Sequence, residues 1–143
     1  MMSNFLTHRQ MASLVEAIQT AENHSSGEIR VHIDSNSEDD NAKTAFEIFR
    51  SLNMHKTEER NAVLFHINFD KRYLTIVGDE GIHKKVHQHF WDRMHDEITS
   101  AFARGNYFEA LEEAILKTGT ELKKHFPING NNPNELSNEI SFS

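Results

Sequence analysis

At 143 residues, the chain is long enough to form a single domain with a buried core. Its 15 lysine and arginine residues against 22 aspartate and glutamate residues give a net charge of −7, which argues against binding to nucleic acid or to an anionic membrane surface. The chain has no cysteine, which excludes disulfides, thiol catalysis and cysteine-based zinc sites.

Targeting signals are the next feature that the sequence can exclude. The first residues lack the charged and apolar regions of a signal peptide, and no apolar run approaches the roughly 20 residues of a membrane span. No exposed heptad or long apolar edge is visible either. We therefore expect a soluble cytoplasmic monomer that binds neither nucleic acid nor membranes.

The spacing of apolar residues predicts four helices and three strands. Thr7 and Gln10 form a capping-box pattern that opens a helix ending near Ala21. The segment Glu28–Ile33 alternates polar with β-branched residues, which predicts a strand with one buried face. The same reasoning predicts a β-hairpin over 62–67 and 73–77 and further helices over 42–52, 82–103 and 107–124.

The order of these elements predicts an α/β fold. The first two strands are joined by a helix and should run parallel with a right-handed crossover, whereas the third should be antiparallel to the second. Helices on both faces of this small mixed sheet give a three-layer α/β/α sandwich with a βαββαα core and an N-terminal helix. We assign residues 1–127 to this domain and residues 128–143 to a polar C-terminal tail.

Three polar motifs should meet at one end of this sheet. Ser26–Glu28 precedes the first strand, Arg60–Asn61 precedes the second, and Gly78–Gly81 follows the third. Parallel strands start at the same end of a sheet, and the antiparallel third strand ends there. The convergence supplies oxygen ligands of the kind that Ca²⁺ and Mg²⁺ prefer over zinc, from Glu28, Asn61, Asp79 and Glu80.

Each of these residues also has a structural interpretation. Glu28 could be a solvated residue at a strand edge. Asp79 could cap the helix that follows it, because aspartate is a preferred N-cap residue. Arg60 could pair with one of the acids. The sequence alone leaves these alternatives open.

Two other groups of residues are weaker candidates for metal binding. His83 and His87 are four residues apart and would share a helix face, but the zinc metalloprotease pattern requires a glutamate after the first histidine, where this chain has Lys84. The acids of 38–40 should lie at the opposite end of the sheet, where a second, weaker cation site is less favoured than a solvated loop.

The motifs also carry a family resemblance. In their order and spacing, five segments together resemble the TPM domain family: Phe5–Thr7, Ser26–Val31, Arg60–Leu64, Gly78–Ile82 and Phe90–Asp92. The resemblance extends over nearly the whole chain, to about Phe126, and the sequence Asn134-Glu135-Leu136 resembles a bacterial cytosolic branch of the family.

The resemblance implies an α/β/α sandwich with sites for Ca²⁺ or Mg²⁺ and a phosphatase activity that is described mainly for the plant branch. Carried onto this sequence, it supports Glu28, Asn61, Asp79 and Glu80 as metal ligands. Many members carry Gly-x-Gly-x-Glu-Gly after the third strand, whereas here the acids come earlier and His83 stands at about the position of the usual glutamate. Many members also have an exported domain and a membrane anchor, which we do not expect here.

Two functional hypotheses follow. The first is a metal-dependent phosphomonoesterase of low activity, with Asp79 as nucleophile, Arg60 or Arg30 holding the phosphate, and the helix after Gly81 adding its dipole. The second is a non-catalytic metal-binding module that assists the assembly or repair of a partner protein. The support for the second hypothesis is that the sequence shows no clear nucleophile, base and orienting group together.

Overall fold

The computed structural model describes residues 5–35, 40–130, 132–133 and 135–143 of the chain. Within these residues, the helices are α1 (His8–Glu22), α2 (Asn41–Ser51), α3 (Glu80–Ala103) and α4 (Tyr107–His125). The strands are β1 (Glu28–Asp34), β2 (Ala62–Asn68), β3 (Tyr73–Gly78) and β4 (Ser141–Phe142), and a short 3-10 helix, Met54–Lys56, lies between α2 and β2. The predicted helices and the first three strands are therefore confirmed within a few residues at each end.

The four strands form one mixed sheet in the order β3-β2-β1-β4. Strands β1 and β2 are parallel, with Glu28 opposite Ala62, and β3 is antiparallel to β2, with Gly78 opposite Val63. These pairings confirm the predicted topology. The sequence did not predict β4, which pairs in parallel with β1 at the free edge of the sheet.

Helices cover both faces of this sheet, which confirms the α/β sandwich. The larger core joins α1, α3 and α4 to one sheet face, and it includes Trp91, Met94 and Phe102 as the apolar spacing predicted. A smaller core lies on the other face, between α2 and strands β2 and β3, and Leu136 packs against it. Its buried residues are Ala45, Phe49, Met54, Ala62, Leu64 and Val77.

Strand β1 is more buried than its alternation predicts. Three of its four polar residues, Glu28, His32 and Asp34, are each no more than 3% exposed, and Arg30 is partly exposed. The chain after α4 returns along this strand, where β4 pairs with His32 and Ile33 and covers what would otherwise be a solvated edge. The Glu28, His32 and Asp34 side chains are therefore enclosed by protein and need internal partners.

One local feature of the helices was predicted correctly from the sequence, and another was not. The predicted capping box is present, because Thr7 Oγ1 accepts the N–H of Gln10 at 3.0 Å and the Gln10 side chain accepts the N–H of Thr7 at 2.9 Å. Helix α3, however, is interrupted at His87, whose φ of 66° and ψ of 170° are not helical. His83 and His87 consequently do not share one regular helix face, so the spacing that would let the two histidines bind one zinc ion is not present.

The acidic loop of 38–40 is described only in part. Glu38 and Asp39 lie outside the described residues, so the second cation site considered there stays a prediction. Asp40 caps α2, since its side chain accepts the N–H of Lys43 at 3.0 Å. Among the described helices, none is long and apolar enough to cross a membrane.

Candidate cation site at the start of β1 and β2

The backbone brings the three predicted motifs to one end of the sheet. The N–H of Glu28 lies 3.5 Å from the carbonyl of Asn61, which joins the starts of β1 and β2. The N–H of Asp79 donates to the carbonyl of Ala62 at 3.0 Å, which brings the end of β3 to the same place. The convergence argued from topology is therefore present, and the side chains decide what it can bind.

Glu28 is fully buried, so it is not the solvated edge residue that the sequence left open. Its Oε1 accepts the N–H of Leu136 at 3.1 Å. Its Oε2 is buried and has no hydrogen-bond partner among the described residues. Burial raises the pKa of Glu28 to about 7, although the backbone N–H groups of Leu136 and Glu135 and the side-chain amide of Asn132 act in the opposite direction.

Asn61 presents a second unpartnered oxygen. Its side-chain nitrogen Nδ2 donates to Ser26 Oγ at 2.9 Å, and Ser26 Oγ in turn donates to the carboxylate of Glu59. Because the Ser26 proton is directed to Glu59, this hydroxyl can only accept from Asn61, which fixes the orientation of the amide. Asn61 Oδ1 is consequently left buried without a hydrogen-bond partner among the described residues.

A second buried carboxyl group lies near Glu28. Glu22, at the end of α1, is 2% exposed and accepts the N–H of Ile29 at 2.8 Å. Burial, and then the neighbouring charge of Glu28, raise the pKa of Glu22 to about 8. Two carboxyl groups in this enclosed region therefore resist ionisation, and a cation would compensate the charge that they carry when ionised.

Asp79 and Arg60 form an ion pair with two hydrogen bonds. Arg60 Nε lies 2.8 Å from Asp79 Oδ2, and Arg60 Nη2 lies 2.9 Å from Oδ1. Asp79 Oδ1 also accepts the N–H of Glu80 at 2.8 Å and so caps α3. Both structural alternatives considered for these two residues are present, and the Asp79 carboxylate already has three donors.

Glu80 is exposed on the first turn of α3. Its side chain lies between two cationic groups, 3.2 Å from Lys84 Nζ and 3.9 Å from Arg60 Nη2. The structure therefore places Glu80 in a solvated ion-pair network, and such pairs contribute little to stability.

The first N–H groups of α3 are already hydrogen-bonded. The carbonyl of Arg60 accepts the N–H of Gly81 at 2.7 Å and that of Ile82 at 3.3 Å, and the carbonyl of Asp79 accepts the N–H of His83 at 2.9 Å. Gly81 permits this close approach, since a Cβ there would lie 2.2 Å from the carbonyl oxygen of Glu59. These groups are therefore not available to an anion in this structure.

The described residues contain no cluster of acids and histidines of the kind that forms a metal centre. Within the described ranges, no group of three or more His, Asp or Glu side chains is placed to hold a metal ion. His83 Nδ1 accepts the indole N–H of Trp91 at 3.1 Å, which gives that histidine a structural role. A cation at this end of the sheet would depend on Glu28 and Asn61 together with other oxygen atoms nearby.

Several residues of this site were not predicted to contribute to it. Ser26 stood inside a predicted motif, but nothing in the sequence indicated that it orients Asn61. Glu22 reads as an ordinary polar residue at the end of α1, and Leu136 lies more than 100 residues from the carboxylate that it contacts. Long-range contacts of this kind have no local sequence signal.

Comparisons with known proteins agree with this fold. The family model of the TPM domain matches residues 2–121. The NMR structure of the BA42 protein from the psychrophilic bacterium Bizionia argentinensis is 37% identical over 97% of this chain and 96% of that chain, with a TM-score of 0.88. The solution NMR structure of the N-terminal domain of a protein from P. gingivalis is 19% identical over 89% of this chain and 84% of that chain, with a TM-score of 0.72, and shows a similar fold.

No curated protein matches the chain. The family model nevertheless covers well over half of the sequence, and the BA42 structure extends the likeness to nearly all of it. The resemblance drawn from the five sequence segments is confirmed, and the chain belongs to the TPM domain family.

Proposed function

We propose that this TPM domain protein binds a divalent cation, Ca²⁺ or Mg²⁺, at the end of the sheet where β1 and β2 begin. The observation that carries the proposal is that two buried oxygen atoms, Glu28 Oε2 and Asn61 Oδ1, have no hydrogen-bond partner in the described ranges of the chain. A buried acceptor without a partner costs roughly 1–3 kcal/mol, more when it is charged. A cation bound by these atoms would offset that cost.

The chemistry of the donors fits a hard cation. A carboxylate and an amide oxygen are the ligand types that Ca²⁺ and Mg²⁺ take, and no thiolate is available to favour a softer metal. When bound, the ion would neutralise Glu28 and connect β1 to the start of β2. The sequence also predicts Asp79 and Glu80 as ligands, but our proposal does not require them, since Asp79 would have to exchange its contacts with Arg60 to take part.

The contacts at Asp79 favour a binding module over an enzyme. A carboxylate that holds a guanidinium with two hydrogen bonds and caps a helix is a weak nucleophile, because its lone pairs are already engaged. In our proposal the cation stabilises this end of the sheet and presents it to a partner protein that the module helps to assemble or repair.

Amide NMR of the metal-free protein titrated with Ca²⁺ and then Mg²⁺ tests the proposal. We expect saturable shifts at Gly27, Glu28 and Asn61, and their loss in Glu28→Gln. Glu16→Gln removes an exposed carboxylate on α1 and serves as the matched control. Shifts confined to Glu80 and its neighbours, or no saturable shift with either ion, would contradict the proposal.

A metal-dependent phosphomonoesterase is the second candidate function. The Arg60 side chain is 47% exposed next to the start of α3, where it could hold a phosphate group. A bound cation would polarise a phosphoryl oxygen, and Asp79 would serve as the nucleophile. Metal-dependent hydrolysis of p-nitrophenyl phosphate that is lost in Asp79→Asn would support this candidate, and no turnover by the wild type would contradict it.

A further inference from the structure

The chain after α4 returns to the proposed cation site. We call the described residues from Asn132 onward the C-terminal segment. This segment lies beyond the match to the family model, which ends at residue 121. The Asn132 side chain donates to the carbonyl of Gly27 at 2.8 Å, and the N–H of Leu136 donates to the carboxylate of Glu28 at 3.1 Å. An element outside the family match therefore encloses the residue on which the proposed site depends.

Glu135 brings a further carboxylate to the same place. Its Oε2 accepts the N–H of Glu58 at 3.4 Å, in the loop that leads to Asn61. Its charge also acts on Glu28, where it opposes ionisation. Glu135 therefore contacts the loop that precedes Asn61 and acts on Glu28, and its side chain is exposed.

The two oxygen atoms of Glu28 have different roles in this arrangement. Oε1 anchors the C-terminal segment through Leu136, whereas Oε2 has no hydrogen-bond partner within the part of the chain that the structure describes. One carboxylate can therefore hold the segment and a cation at the same time. Without a cation, closure of the segment brings the charge of Glu135 towards that of Glu28, and like charges repel.

We propose that the C-terminal segment is a lid on the cation site and that Glu135 supplies a further ligand when the lid is closed; this inference rests on the proposed function. Because the segment and the cation share Glu28, each should strengthen the binding of the other by the same factor. The lid has a second anchor in β4, where both ring nitrogens of His32 lie 2.7 Å from a serine hydroxyl, those of Ser141 and Ser143.

Calorimetric titration of the full chain with Ca²⁺ tests the role of Glu135. We expect Glu135→Gln to weaken binding by roughly tenfold, because the number of charged ligands sets the affinity of calcium sites. Glu139→Gln is the matched control, since it removes the same charge from the same segment at a residue that acts on Arg30 instead of Glu28, and it should change affinity by less than about twofold.

Hydrogen exchange at Leu136 tests the lid independently of affinity. Saturating Ca²⁺ should slow exchange of this amide in the wild type, since the cation holds the carboxylate to which the amide donates. The slowing should be smaller in Glu135→Gln and unchanged in Glu139→Gln. An exchange rate at Leu136 that does not respond to Ca²⁺ in a protein that binds Ca²⁺ would overturn the lid.

Ca²⁺ binding by the two variants distinguishes the lid from the proposed cation site. If Glu28→Gln abolishes Ca²⁺ binding while Glu135→Gln binds like the wild type, Glu135 is not a ligand and the proposed function stands. If the wild type binds neither Ca²⁺ nor Mg²⁺, both are wrong, and the contact between Leu136 and Glu28 only anchors the chain end.

Discussion

Arg60 and Asp79 hold each other through two parallel hydrogen bonds of 2.8 and 2.9 Å at the start of α3. Asp79 is 7% exposed, while nearly half of the Arg60 side chain meets solvent. The pair fixes the junction between β3 and α3. Among the described residues at the start of β1 and β2, Glu28 and Asn61 are those that keep a buried acceptor without a partner. This division of roles separates our account from one in which all four predicted ligands act together.

Replacing Asp79 by asparagine should lower stability without removing cation binding. Asparagine can still cap α3, but it cannot form the ion pair with Arg60, so we expect a loss of about 1–2 kcal/mol in the free energy of unfolding. Urea denaturation measures this loss, and calorimetry should find Ca²⁺ affinity within about twofold of the wild type. A tenfold loss of affinity would instead make Asp79 a ligand, as the sequence predicted.

The metal-free protein should lose stability as pH rises from 6.5 to 8. Burial raises the pKa of Glu28 to about 7 and that of Glu22 to about 8, from an ordinary value of 4.5, so the folded state holds protons in this range that the unfolded state has released. Stability therefore falls with rising pH, by roughly 2 kcal/mol over this window. Urea denaturation with a chelator present measures the slope.

Glu22→Gln separates the two carboxyl groups in that experiment. Glutamine can keep the hydrogen bond from Ile29 but cannot ionise, so the variant should lose most of the slope between pH 7 and 8. Glu16→Gln, on the exposed face of α1, should retain the wild-type slope. A steep slope that persists in Glu22→Gln would show that other groups cause it.

Gly81→Ala should disrupt the junction on which the site is built. A Cβ at this position would lie 2.2 Å from the carbonyl oxygen of Glu59 and 2.6 Å from that of Arg60, and these backbone atoms have little room to move. We expect a loss of roughly 2–4 kcal/mol, measured by urea denaturation.

Gly105→Ala is the control for this substitution. No atom of the described residues lies within 4 Å of a Cβ at Gly105. Only its φ of +80° disfavours a side chain, so the substitution should cost about 1–2 kcal/mol. Equal losses at the two positions would mean that the close approach at Gly81 is unimportant.

The double substitution Ser141→Ala and Ser143→Ala should loosen β4. Burial lowers the pKa of His32 to about 4, so at pH 7 the ring is neutral and uses one nitrogen as donor and the other as acceptor. Removing both hydroxyls leaves these buried nitrogens without their partners, at roughly 1–3 kcal/mol each. Hydrogen exchange at the backbone N–H of residue 143, which donates to the carbonyl of Ile33 in the wild type, should accelerate, whereas Ser100→Ala on α3 should leave it unchanged.

Much of the fold could be predicted because its signals are local. The capping box at Thr7, the alternation in β1 and the apolar stripe around Trp91 each depend on residues a few positions apart. The convergence of Glu28, Asn61 and Asp79 followed from topology, because a helical crossover makes two strands parallel and a short turn makes the third antiparallel.

Two features that the sequence did not predict, β4 and the burial of Glu28, depend on contacts between residues far apart in the chain. β4 consists of two residues, and its pairing with β1 is set by His32 and Ile33, more than 100 residues earlier. The burial of Glu28 depends on that return of the chain, so alternation alone predicted a strand with one open face. The break of α3 at His87 has no glycine or proline to mark it.

The most direct test of the account is calorimetric titration of the metal-free full chain with Ca²⁺, comparing the wild type with Glu28→Gln and Asp79→Asn. Our account predicts saturable binding by the wild type, its loss in Glu28→Gln, and near wild-type affinity in Asp79→Asn. Unchanged binding by Glu28→Gln would contradict it, because the buried oxygen atoms at the start of β1 and β2 would then have no part in holding the ion.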